Sequence, residues 1–238
     1  MTIIQQPSRQ HPRVQPPHLP PEQRLLLHNV RWQTYEMLLA DLHDRPIRLT
    51  YDRGDLEFMA PSFRHEVYAG LLGRFIATLA EELEIPFKSG RTTTFRREDM
   101  ARGLEPDDCF YIRSLPLILG KEEIDLSRDP PPDLGIEVDI TRSSLNRMGI
   151  YAALRVPEVW RFDGQTLQVH QLRPDGTYEE GGVSQSFPTV PLPELVGFLH
   201  QATTMDDLAL MRSFRAWVRS RIVQPRQPPP PAPPPPGV

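Results

Sequence analysis

The sequence predicts an α/β domain, a central mixed sheet flanked by helices, and three observations carry that prediction. Residues 133–141 alternate without error, with Leu134, Ile136, Val138 and Ile140 on one face and Asp133, Glu137, Asp139 and Thr141 on the other; that is the two-residue period of a strand. Residues 63–84 repeat instead at helical spacing, Val67, Leu71, Phe75 and Leu79 forming one ridge beside Leu72, Ile76 and Leu83. Around these two segments, short β-branched and aromatic runs are separated by turn residues.

In chain order, Trp32, Tyr35, Leu38, Leu39 and Leu42 place a short helix within residues 25–42. Residues 47–51 and 55–59 flank Asp52-Arg53-Gly54, which reads as a hairpin with Asp52 and Asp55 as turn residues. Ser62 is positioned to cap the helix that follows. A second stripe of that helix holds Glu66, Gly70, Gly73 and Ala77. Glycine costs a helix about 1 kcal/mol relative to alanine, so two on one stripe predict a close backbone approach. Glu66 heads the stripe, where it also meets the positive end of the helix dipole. Three strands are expected next, at 87–97, 107–113 and 133–141. A helix capped at Ser143 or Ser144 and running to about Leu154 follows, then a strand at 156–162 and a hairpin turning at Pro174-Asp175-Gly176. Helices near 192–201 and 205–222 close the chain.

Composition narrows the setting. Of the 28 prolines, many crowd the two ends, so residues 1–24 and 223–238 are expected to be extended Pro-rich arms around a domain at 25–222. No apolar run reaches a membrane span, and the first 24 residues lack the apolar core of a secretory signal. With a single cysteine, Cys109, internal disulfides and cysteine-based zinc clusters are excluded, and a cytoplasmic, reducing location is expected. The net charge of −4 does not advertise nucleic-acid binding, so any such contact needs a local patch, for which Arg91, Arg96 and Arg97 are candidates. His65-Glu66 is not a zinc-protease motif, because Ala69 stands where a second histidine is required.

The acids of residues 133–141 carry the chemistry. Three carboxylates along one sheet edge repel one another unless a cation or basic partner neutralises them. Spacing alone leaves open a solvated outer strand whose acids do nothing. If the strands near Asp107 and Asp133 are neighbours, however, Asp107 and Glu137 can meet over one divalent ion, with the carbonyl of Val138 as a further ligand.

The order helix, three strands, helix, strand, with Pro106-Asp107 thirty residues before Glu137-Val138-Asp139, resembles the PD-(D/E)xK restriction-endonuclease-like fold. More narrowly, the chain resembles the Uma-type family of restriction endonucleases. The resembling blocks include residues 51–57, Pro61-Ser62-Phe63-Arg64-His65-Glu66, Thr93-Thr94-Phe95-Arg96-Arg97, residues 103–107, residues 131–141 and Val156-Pro157-Glu158-Val159-Trp160-Arg161.

That resemblance implies a nuclease-like core with an N-terminal helix and hairpin before it and helices after it. It also implies a DNA endonuclease that uses Mg²⁺ or Mn²⁺ to activate the water that hydrolyses a phosphodiester. Glu66, Asp107 and Glu137 match the metal ligands. The lysine of the E-x-K pattern is replaced by Asp139, which leaves Arg147, on the following helix, as the basic group that offsets phosphate charge. Arg147 does not lose its proton and so cannot act as a base. Asp139 joins the catalytic set by helping to orient the water, and Asp133 ranks last, as a residue that ends the Pro130-Pro131-Pro132 turn. Cleavage of both strands leads to the expectation of a symmetric homodimer. The competing reading is a catalytically inactive nucleic-acid- or protein-binding module on the same fold, with the lost lysine as its sign.

Overall fold

The computed structural model describes residues 22–223; the Pro-rich arms expected at the two ends otherwise lie outside the described residues. The chain enters through β1 (Gln23–Leu27) and continues into α1 (Trp32–Asp41). This corrects two expectations. The helix expected from residue 25 begins only at Trp32, because Leu25, Leu26 and Leu27 pair with a neighbouring strand and Asn29 then turns the chain with φ 57°, a conformation asparagine tolerates. Residues 22–24, assigned above to the arm, belong to the folded body, and Glu22 is buried.

The hairpin forms where expected, as β2 (Arg48–Asp52) and β3 (Asp55–Ala60). Asp52 and Asp55 serve the turn region, Asp52 accepting from Arg53 and Arg102 and Asp55 meeting His28. Helix α2 (Phe63–Glu82) follows, with the hydroxyl of Ser62 accepting from the His65 amide at 3.2 Å. The single strand expected at 87–97 is instead two short ones, β4 (Lys88–Ser89) and β5 (Phe95–Arg97), which join different sheets. With β6 (Arg102–Leu104), the first sheet has five strands in the order β1-β3-β2-β6-β5, all antiparallel.

The second sheet is built from β4, β7 (Asp108–Tyr111), β8 (Leu134–Val138), β9 (Glu158–Phe162), β10 (Leu167–Leu172) and β11 (Tyr178–Gly181), in the order β11-β10-β9-β8-β7-β4. A one-turn helix, α3 (Leu115–Ile118), follows β7. Among the described residues only β8 and β9 run parallel, and α4 (Arg147–Ala153) crosses between them, as a parallel pair requires. Helix α4 is capped by Asn146, whose side chain accepts from the Gly149 amide. The expected caps, Ser143 and Ser144, donate instead to Glu57. Helices α5 (Leu192–Gln201) and α6 (Asp207–Val218) complete the chain.

Two layers cover the second sheet. On one face Leu134, Ile136 and Val138 pack with Leu72, Phe75 and Ile76 of α2 and with Phe214 of α6 in the main core. On the other, Ile150, Tyr151 and Leu154 pack on Val159 and Cys109. At Gly135 a Cβ would lie 3.2 Å from the Tyr151 ring, so the glycine lets α4 lie close. The acidic face of β8 is therefore buried, not solvated as a sheet edge would be. Of the two helix glycines, Gly73 does mark a close approach, since its Cβ would fall 2.5 Å from Asp108 Oδ2; Gly70 has nothing within 4 Å. No helix among the described residues is long and apolar enough to cross a membrane.

Candidate active site

The sheet carries the first two acids on neighbouring strands. Asp108 pairs with Ile136 across the antiparallel β7/β8 ladder, and Asp107, just before β7, is tied to the β8 backbone on either side of Glu137. The Asp107 amide donates to the Ile136 carbonyl at 3.0 Å, and the Val138 amide donates to Asp107 Oδ2 at 2.5 Å. Val138 thus enters the site through its N–H. Cys109, two residues on, is a buried packed thiol, its ionisation pushed up chiefly by burial.

The remaining partners come from the facing layers. His65 lies in the first turn of α2, with Nδ1 2.7 Å from Glu22 Oε1 and Nε2 2.8 Å from Asp107 Oδ1. The ring bridges two buried carboxylates, donating from whichever nitrogen carries a proton. Burial pushes the Glu22 carboxyl up, but the hydrogen bonds from His65 and Thr141 outweigh it and hold the group below the usual range. Arg48, at the start of β2, donates to Glu66 Oε1 at 2.9 Å and pairs with Asp107 Oδ1. Its guanidinium therefore joins the helix acid to the strand acid.

Glu137 is held from α4. Arg147 Nη2 and the Tyr151 hydroxyl each donate to its Oε2 at 2.8 Å, while Arg147 Nε lies 2.5 Å from Oε1, outside hydrogen-bond alignment. Arg147 also donates to the Thr50 hydroxyl of β2 and to the Glu105 carbonyl at 2.8 Å. Despite burial, Glu137 pushes the Arg147 guanidinium further toward its charged form. Burial and the same carboxylate push the Tyr151 phenol well above its usual range, so it keeps its proton and donates.

Asp139 pairs with Arg161 of β9, with Arg24 Nη2 3.9 Å from its other oxygen. Glu57 of β3, a buried acid the sequence reading passed over, accepts from Arg24, the Ser143 hydroxyl and the Ser144 amide at 2.7–2.8 Å. Asp133 stands apart: it accepts from the Ile112 and Ser114 amides and the Ser114 hydroxyl, tying down residues 112–114. Two openings reach the acids. A cavity of about 670 Å³ is lined by Arg48, Glu66, Glu105, Thr94 and Arg96, and one of about 200 Å³ by Glu137, Asp139, Arg147 and Arg161. Asp107 lines neither. The expected basic patch is largely paired within the chain, Arg91 with Asp108 and Arg97 with Asp99.

Of the expected residues, then, Asp107, Glu137, Arg147 and Asp139 share the seam between the sheets, and Glu66 joins them through Arg48. Reasoning from sequence missed Arg48, His65, Glu57, Glu22 and Tyr151. His65 carried a usable signal, a histidine in the first turn of an apolar helix; Arg48 carried none beyond its place in a strand. Hard carboxylate oxygens are the donors Mg²⁺ and Mn²⁺ require, and Glu66 and Asp107 already share one cation, the Arg48 guanidinium. Among the described residues no three His, Cys, Asp or Glu side chains gather into a ready metal cage. The donor set fits a divalent ion in kind.

Residues 32–205 match the model of the Uma2 family, described as "Putative restriction endonuclease". No curated protein matches the chain.

Proposed function

Since the chain belongs to the Uma2 family, we propose that it is a divalent-metal-dependent DNA endonuclease whose centre is the seam between Asp107, Glu137 and Glu66. The observation that supports this reading is that Asp107 is bonded to the β8 backbone at Ile136 and Val138, on either side of Glu137, with each of the two acids paired to an arginine. Glu66, Asp107 and Glu137 would hold Mg²⁺ or Mn²⁺. The ion supplies charge to the scissile phosphate and makes a water more acidic.

The chain's own groups supply the rest. Val138 N–H and His65 hold the Asp107 carboxylate from two sides. Tyr151 O–H and Arg147 hold Glu137. Arg147 remains charged throughout and offsets the negative charge that grows on phosphate oxygens as water attacks phosphorus and the P–O ester bond breaks. Its contacts to Thr50 and the Glu105 carbonyl keep it pre-oriented. Asp139, paired with Arg161, would help to orient the attacking water rather than hold the metal.

One observation favours a second reading, a catalytically inactive nucleic-acid- or protein-binding module: Glu66, Asp107, Glu137 and Asp139 each already face an internal arginine. Supercoiled plasmid and a labelled single strand, incubated with Mg²⁺, Mn²⁺ or chelator beside a Glu137→Ala control, separate the two. Metal-dependent nicking lost in the variant is expected; equal background in both proteins moves the assignment to the binding module.

A further inference from the structure

We propose that Arg48 is an internal counter-cation that competes with the divalent ion for Glu66 and Asp107, so that metal enters as the guanidinium leaves. The inference rests on the reading that these acids bind metal, and goes beyond it by assigning a role to a residue outside the expected site.

The two arginines of the seam differ in how they are held. Arg147 is buried and fixed by Glu137, Thr50 and the Glu105 carbonyl, contacts on three separate segments. Arg48 instead meets the two candidate metal ligands, His65 Nε2 at 3.2 Å and, through its charge alone, the Glu105 carboxyl of the same cavity. It also lines the 670 Å³ cavity, which gives its side chain somewhere to go.

The acids are arranged to survive its departure. Asp107 keeps His65 and the Val138 amide, so its carboxylate stays in place. Glu66 has a side chain 51% exposed and can turn toward a new partner. Charge gives the exchange its direction. Two carboxylates and one guanidinium sum to −1, whereas a divalent ion in the same place brings the acids to neutrality, and ion and guanidinium together would repel at close range. The cost of separating an arginine from two acids is thus subtracted from metal affinity, as for any ligand that must displace an occupant.

Mn²⁺ titrated calorimetrically into metal-stripped protein tests this without DNA. Arg48→Met is expected to bind Mn²⁺ at least tenfold more tightly than the parent, and Asp107→Asn in the same background to abolish the gain. Arg48→Lys keeps a positive charge but cannot bridge two carboxylates as a fork does; a gain of several-fold is expected, and this variant decides the matter if Arg48→Met does not fold. Affinity equal to or below the parent's in the folded variants, or no Mn²⁺ binding in any of them, overturns the proposal. Plasmid nicking with no change in affinity would leave the nuclease reading intact and remove the role of Arg48. Tighter binding without nicking would do the reverse.

Discussion

The two sheets reach the same seam by different means. The six-stranded sheet contributes acids on strands buried on both faces, Glu137 within β8 and Asp107 and Asp139 at strand ends. The five-stranded sheet contributes mostly their partners: Arg24 from β1, Arg48 and Thr50 from β2, and Glu57 from β3, which in turn holds Arg24 and the loop after Asp139. Neither sheet could bury its half alone, because an unpaired buried charge is prohibitively costly. The N-terminal sheet is thus more than an addition to a nuclease-like core: its Arg48 neutralises Asp107 and its Arg24 approaches Asp139, while Glu137 is paired within the core by Arg147.

The sharpest way to break this comparison is Glu57→Ala. Removing it leaves Arg24 short of its closest acid and the Ser144 amide without an acceptor, and a loss of roughly 3–5 kcal/mol is expected from urea unfolding, the range for breaking a buried pair. A loss below about 0.5 kcal/mol would mean that the sheets do not depend on the network. Tyr151→Phe is the milder probe. It removes one donor from Glu137 while Arg147 remains, and about 1 kcal/mol of stability is expected to go, with the ring's packing over Gly135 kept.

The smallest effect belongs to the outer helices, where the paired arginines are exposed. Glu82, near the end of α2, accepts from Arg219 and Arg215, and the Arg219 contact leads in holding its carboxyl below the usual range. A depressed carboxyl stabilises the fold above its unfolded ionisation, near pH 4.5, and that contribution disappears as pH falls through the lower folded value. Glu82→Gln should therefore lower the melting temperature by about 1–2 °C at neutral pH and leave it almost unchanged near pH 3. A shift of equal size at both pH values would show that the contact is not ionic.

Legibility followed the same division. The alternation of residues 133–141 and the ridge Leu71, Phe75 and Leu79 are local periodicities that burial enforces, so β8 and α2 could be read directly. Ser62 was legible as a cap because capping involves only neighbours three residues apart. Ser143 and Ser144 misled for the complementary reason: hydroxyl and amide were claimed by Glu57, more than eighty residues away in sequence. The triple leucine of β1 misled because pairing with β3 overrode a helical spacing.

By itself the sequence determined an α/β chain with one acid at the head of a helix and others on strands, because secondary structure and strand faces follow from short-range periods. Only the tertiary structure decided what those acids meet. Arg48 reaches Asp107 across 59 positions and Arg147 reaches Thr50 across 97, and no local pattern encodes such a pairing. Each is set by how two sheets pack, and by the requirement that charge carried into the seam be neutralised there.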